Sequence, residues 1–221
     1  MGLSLVRRHC IAVLILASFA GLNPAIAKDA APRAANGAKI LIVGDSLSAE
    51  YGLKRGTGWV ALLEQRLGQE KLAATVVNAS ISGDTTSGGR SRLPALLAQH
   101  RPTVVVIELG GNDALRGLPL TMTQDNLTAM TRAAQQAGAK VLLAGMQVPP
   151  NYGQDYTKRF SETFATVAKS TKAALVPFLL KGVADGPNAA AMFQADRIHP
   201  REEAHPTILN TMWPAIKNLL K

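Results

Sequence analysis

"ILIVGDSLSAEYG", Ile40 to Gly52, is the stretch on which the fold turns. Its first four residues are all Ile, Leu or Val, with none of the every-second-residue alternation of a half-exposed strand. A strand covered on both faces reads this way, and such strands belong to parallel sheets packed between helices. The run halts at Gly44, and Asp45, Ser46 and Ser48 follow at once. Taken alone, Ser46 is an ordinary helix N-cap, because a serine oxygen accepts from the free N–H groups of a first helical turn.

Four more apolar runs follow: "TVVN" (75–78), "TVVVIEL" (103–109), "KVLLAG" (140–145) and "ALVP" (174–177). Between them, apolar residues recur at three and four in "WVALLEQRLG" (59–68), "LPALLAQH" (93–100), "NLTAMTRAAQQAG" (126–138) and "RFSETFATVAKST" (159–171). Gly68 and Gly138 stand where helix stops are expected, and a last helix runs from about Pro206 to Leu220. Strand–helix alternation predicts an α/β fold, a five-stranded parallel sheet with helices on both faces. In such sheets ligands bind beyond the carboxyl ends of the strands, where strand order reverses.

The first residues read differently. Arg7 and Arg8 precede an apolar run from Cys10 to Ala20, and small residues close the segment at Ala25-Ile26-Ala27. That is the pattern of a secretory signal over residues 1–27, with cleavage after Ala27 and a periplasmic or secreted product. The apolar run is too short for a comfortable membrane span, so no stable anchor is expected after cleavage. Residues 28–38, "KDAAPRAANGA", read as a flexible leader, and 39–221 as one domain. Cleavage removes Cys10, the only cysteine, which excludes thiol catalysis and cysteine metal sites. Removing Arg7 and Arg8 leaves 22 basic against 15 acidic residues, a net +7. The basic residues are scattered and aromatics make up only 5%, so nucleic acid is not an expected partner.

The strand ends carry the chemistry. After the first comes Gly44-Asp45-Ser46, after the second "ASISGDTT" with Gly83, and after the third "GGND" with Asn112. After the fifth comes "ADRIHP", with Asp196 and His199. Singly, Gly83 is a turn glycine, Asn112 an Asx-turn residue and His199 a loop histidine. Together they form the set that acyl transfer needs. A serine hydroxyl attacks only with a base to take its proton, and imidazole has the right pKa range. A carboxylate three residues before His199 sets the ring's tautomer. The N–H groups of Ser46 and Gly83 and the Asn112 amide are candidate donors to an oxyanion.

"GDSLS", "SISGD", "GGND" and "DRIHP" resemble the successive blocks of the GDSL, or SGNH, hydrolases. The likeness covers nearly all of the chain beyond the signal and is nearest to the family's small periplasmic thioesterase, lysophospholipase and arylesterase members. The resemblance implies a three-layer flavodoxin-like fold and a Ser46–His199–Asp196 triad with Gly83 and Asn112 at the oxyanion hole. It also implies no metal or other cofactor, and small-molecule acyl esters, thioesters or lysophospholipids as substrates. The rival G-x-S-x-G elbow fails, since Ser48 stands where its last glycine belongs.

The loop "ALRGLPL" follows Asn112 directly, which makes Leu115 and Leu118 candidates to border an acyl chain. His205 could join His199, Glu202 and Glu203 around a metal, but no H-E-x-x-H pattern supports that. It reads instead as a surface or helix-start residue, and His100 as a turn residue. Trp59 and Trp213 read as core, and the chain as a monomer. Two other functions use some of the same residues: removal of acetyl groups from polysaccharide, and noncatalytic binding of acyl chains. Few aromatics are present to stack on sugars, and mere binding has no use for an aligned base.

Overall fold

The computed structural model describes residues 37–221; the expected signal segment (1–27) and the expected leader up to residue 36 lie outside the described residues. Five strands form one parallel sheet: β1 (Ala38–Gly44), β2 (Ala74–Asn78), β3 (Val104–Glu108), β4 (Lys140–Ala144) and β5 (Ala174–Val176), in the order β2-β1-β3-β4-β5. β1 begins at Ala38. This is the flavodoxin-like order, and its reversal falls between β1 and β3. Every loop after a strand therefore emerges on one edge, and the loops after β1 and β3 emerge side by side.

Among the described residues the helices are α1 (Trp59–Gln69), α2 (Thr86–His100), α3 (Gly111–Leu115), α4 (Leu120–Gln136), α5 (Gln154–Thr171) and α6 (His205–Leu219). Helices α1 and α6 pack together on one face, and α2, α4 and α5 pack side by side on the other. Right-handed crossovers require this division. The β1–α1–β2 step runs outward, and every later step runs back the other way. Ile40–Val43 and all of β3 are buried, as their apolar runs foretold.

β2 departs from that pattern, with Thr75 and Asn78 exposed. It is an edge strand, so one side lacks a neighbour. Trp59 and Trp213 are core residues, with Arg66 and Lys217 lying over the Trp213 ring.

Several helix limits differ from the sequence reading. α1 runs through Gly68, and the turn is made instead by Lys71, at φ 52. α2, α4 and α5 each begin five to seven residues earlier than expected. The first turns of α2 and α5 are mostly polar, and apolar periodicity does not report them; α4 starts directly after Pro119, with Leu120 and Met122 in its first turn. Gly138, at φ 85, does follow α4 as a stop. His100 is the last helical residue of α2 rather than a turn residue. The helix-like "GPNAAAMFQ" contains only a 3₁₀ turn at Ala189–Met192. Pro206 lies in the first turn of α6, where a missing N–H costs nothing.

Candidate active site

The site is built at the β1/β3 reversal. Gly44 ends β1 against two close neighbours: a Cβ there would lie 2.8 Å from Glu108 Oε2 and 2.9 Å from Ser48 Cβ. No side chain fits that approach. The Asp45 carbonyl accepts from Ser48 N (3.2 Å) and Ala49 N (3.0 Å), and Asp45 Oδ1 accepts from Leu47 N (3.0 Å). This tight turn leaves Ser46 half-exposed at the rim while Asp45, Leu47 and Ser48 are buried.

Beneath the turn lies Glu108, the one charged residue in "TVVVIEL" and fully buried. Its Oε2 accepts from Ser48 Oγ (2.7 Å) and from Asp45 N (3.3 Å), and Ser48 Oγ accepts from Trp59 Nε1 (3.2 Å). Ser48 is thus spent on the core. Burial, reinforced by the Asp45 charge, pushes the Glu108 carboxyl well above the usual range. Burial also raises Asp45 to about 6, against the lowering pull of the Leu47 N–H and Asn112 bonds.

His199 Nε2 stands 2.9 Å from Ser46 Oγ, and His199 Nδ1 stands 2.7 Å from Asp196 Oδ2. The other Asp196 oxygen accepts from Ile198 N (2.9 Å) and His199 N (3.0 Å), so this loop is wrapped around its own carboxylate. The His199 bond, together with those backbone bonds, holds Asp196 down at about 2. A two-residue bridge, Phe193 with Pro200, closes the loop at its base. Gln194 then ties it to the serine turn, donating to the Tyr51 carbonyl (2.9 Å) and the Pro200 carbonyl (3.1 Å). The Tyr51 ring lies 4.3 Å from the His199 ring, centroid to centroid.

Asn112 sits in the first turn of α3, a helix too short for periodicity to reveal. Its Nδ2 donates to Asp45 Oδ2 (3.0 Å) and to the Asp84 carbonyl (2.9 Å), which places the amide between the serine turn and the Gly83 loop. Gly83 adopts φ 79, which only glycine takes without strain, and its carbonyl accepts from Arg116 Nη2 (2.8 Å). The next residue, Asp113, points the opposite way. Fully buried, it accepts from Thr86 N (2.9 Å), the Thr86 hydroxyl and Thr123 Oγ1 (3.3 Å), which anchors α2 and α4 below the site. Leu115 is exposed at the end of α3, and Leu118 is half-buried in the loop beyond.

The structure therefore brings Ser46, His199 and Asp196 into one hydrogen-bonded line and sets Asn112 beside them. Sequence reasoning missed Glu108, Gln194 and Tyr51. An acid inside an apolar strand was a usable signal for the first; nothing marked the other two.

His205 corrects the surface reading. It does start α6, but its ring is 2% exposed, and Nδ1 accepts from Trp59 N at 3.0 Å. That bond caps the start of α1 from across the fold. Burial holds the imidazole below its usual pKa. An unfolded histidine titrates near 6.5 and so binds a proton more readily than the folded one. Stability is therefore lost as pH falls through about 6.5 toward the lowered folded value. His205→Gln keeps an acceptor for Trp59 without a titrating ring. The expected result is a melting temperature that falls less than wild type's between pH 7.5 and 5; identical falls would show that His205 contributes no such term.

A family model described as GDSL-like lipase/acylhydrolase matches residues 42–206. Esterase TesA of Pseudomonas aeruginosa is 54% identical over 181 residues, covering 82% of this chain and 89% of the relative. The thioesterase 1/protease 1/lysophospholipase L1 of Escherichia coli K12 is 42% identical over 188 residues, 85% of this chain and 88% of the relative. A crystal structure of TesA superposes with a TM-score of 0.79 at 53% identity, over 82% of this chain and 99% of that one. With the strand order and the four blocks all at one rim, the chain belongs to the GDSL-like lipase/acylhydrolase family and is a hydrolase of that family.

Proposed function

We propose that this chain is an exported serine esterase and thioesterase acting on acyl esters with a hydrophobic acyl chain: aryl esters, acyl thioesters and lysophospholipids. The observation that carries this is the line from Ser46 Oγ through His199 to Asp196, at 2.9 and 2.7 Å. Ser46 Oγ attacks the acyl carbonyl while His199 Nε2 takes its proton. The negative charge gathers on the former carbonyl oxygen, which receives N–H groups of Ser46, Gly83 and Asn112. As the bond to the leaving oxygen or sulfur breaks, His199 returns the proton to it. Water, activated by the same His199, then cleaves the acyl-enzyme to the acid and free Ser46. The ionised Asp196 steadies the imidazolium in both halves. Export is supported by the basic, apolar and A-x-A pattern of residues 1–27. Among the described residues no helix is long and apolar enough to cross a membrane.

Asn112→Ala is expected to lower kcat by ~10²–10³ with little change in KM, because an oxyanion donor acts mainly in the transition state. Both N–H groups of Nδ2 already have acceptors, Asp45 and Asp84, so an oxyanion shares a bond rather than claiming a vacant one. A change confined to KM would make Asn112 a ground-state binding residue.

Acyl length decides between the two enzymatic readings. Leu115 and Leu118 follow Asn112, and Leu115 is exposed at the end of α3. Each buried CH₂ contributes up to ~0.8 kcal/mol, so kcat/KM on p-nitrophenyl esters should climb severalfold from acetyl over the first few carbons. Leu115→Ser or Leu118→Ser should flatten the climb. A profile that peaks at acetyl, with turnover of an acetylated sugar, would replace this reading by polysaccharide deacetylation.

A further inference from the structure

Large apolar side chains that stand exposed are unevenly placed in this molecule. Among the described residues there are five: Tyr51, Ile81, Leu115, Tyr152 and Ile198, each 38–52% exposed. Tyr51 follows β1, Ile81 follows β2, Leu115 follows β3, Tyr152 follows β4, and Ile198 follows β5. In a parallel sheet those positions share one edge, which is also the edge that holds Ser46 and His199. The opposite edge carries none of the five. An exposed apolar set confined to one rim marks an interaction surface rather than scattered surface residues.

The charges on the rim choose the partner. Lys54 and Arg55 lie near Tyr51, Arg116 beside Leu115, and Arg197 beside Ile198, and all four are exposed. Lys54, Arg55 and Arg197 make no ion pair among the described residues. Of the nearby acids, Glu50 accepts from Gly56 N and Gly58 N, Asp84 pairs with Arg92, Asp196 holds His199 and Glu203 pairs with Arg201; Glu202, which lines a pocket with Lys54, makes no ion pair among the described residues. The rim therefore offers apolar tips among available cations. A membrane surface bearing anionic headgroups over hydrocarbon is the complement of that pattern.

We infer that the carboxyl-end rim of the sheet docks on an anionic phospholipid bilayer, with Tyr51, Ile81, Leu115 and Ile198 entering the interface and Lys54, Arg55 and Arg197 meeting its headgroups. In this pose the mouth over Ser46 opens onto the lipid, so an amphiphile reaches it without crossing bulk water. The inference rests on the lipid-ester reading for its purpose. Its test reads binding without turnover, so the two fail separately.

The experiment places an environment-sensitive dye on the rim of the full chain, in a Ser46→Ala, Cys10→Ser background. One version carries Ile198→Cys; a control carries Gln69→Cys, exposed at the end of α1 on the opposite edge. With phosphatidylcholine vesicles containing phosphatidylglycerol, the dye at position 198 should shift to the blue and brighten, and the dye at 69 should not. Comparing two positions in the same chain separates rim contact from attachment through the apolar N-terminal segment. Adding Lys54→Glu and Arg55→Glu should weaken the position-198 response by more than tenfold, at roughly fivefold for each basic charge removed. With Ser46 in place, the same two substitutions should leave hydrolysis of soluble p-nitrophenyl acetate unchanged. Equal shifts at both positions, or a 198 response that ignores vesicle charge, would overturn the inference. So would a shift that grows with protein concentration in the absence of lipid, which would assign the rim to a second copy of the chain.

Discussion

Ser46→Ala is expected to lower ester turnover by about 10⁶-fold in kcat, the order found when the serine of another triad hydrolase is removed. In the structure the Ser46 hydroxyl has one side-chain partner, His199, and stands half-exposed at the end of its turn. The turn itself is held by Asp45, Ser48 and Glu108, which the substitution leaves in place. The melting temperature should therefore stay close to wild type's while activity disappears. His199→Ala should match it, and the double variant should be little worse than either, because nucleophile and base act as one unit. Rates on a p-nitrophenyl ester beside a thermal melt decide the matter. If Ser46→Ala kept most of its activity, the serine mechanism would be lost, and the neighbouring Ser48 is no substitute, since its hydroxyl is buried against Glu108.

Asp196→Asn should cost about 10⁴ in kcat, through the tautomer of His199. The argument is geometric. One Asp196 oxygen already accepts from the N–H groups of Ile198 and His199, and an asparagine keeps that loop only by using its single oxygen there. Its NH₂ then faces His199 Nδ1, which must become an acceptor. The ring proton moves to Nε2, where it points at Ser46 and blocks the abstraction of its proton. Asp196→Asn should accordingly remain folded with KM nearly unchanged. Since the wild-type carboxyl is held at about 2, it stays ionised as pH falls from 8 to 4. A loss of wild-type activity in that range reflects protonation elsewhere. A variant with near-normal kcat would show that His199 does not need Asp196 to choose its tautomer.

Ser46, Asn112, Asp196 and His199, the residues gathered at the candidate site, were legible in the sequence because each follows a strand, and apolar runs without alternation locate strands well. The rest was hidden for identifiable reasons. The unalternating run of β2 predicts a strand buried on both faces, yet an apolar run does not say whether a strand has one neighbour or two. The segment after β3 reads as loop, because the five residues of α3 are too few to show a helical period. His205 reads as a surface or helix-start residue; it does start α6, but its burial is invisible in the sequence, since its cover is the start of α1, 146 positions away in the chain. Glu108 stood out in the sequence as an acid among valines. That it lies under the serine turn follows only from β3 pairing beside β1.

The sequence by itself determined the five strands and the long helices, which edge of the sheet bears the polar residues, and which side chains compete for acyl chemistry. These are local matters of periodicity, turn chemistry and residue type. Tertiary structure alone decided the strand order β2-β1-β3-β4-β5, the bond from His199 to Ser46 across 153 positions, and the tie from Gln194 to Tyr51 that holds the two loops together. The physical reason is that right-handed crossovers reverse direction once, after β2. That single reversal places the ends of β1 and β3 side by side and leaves room above them for the loop that carries His199.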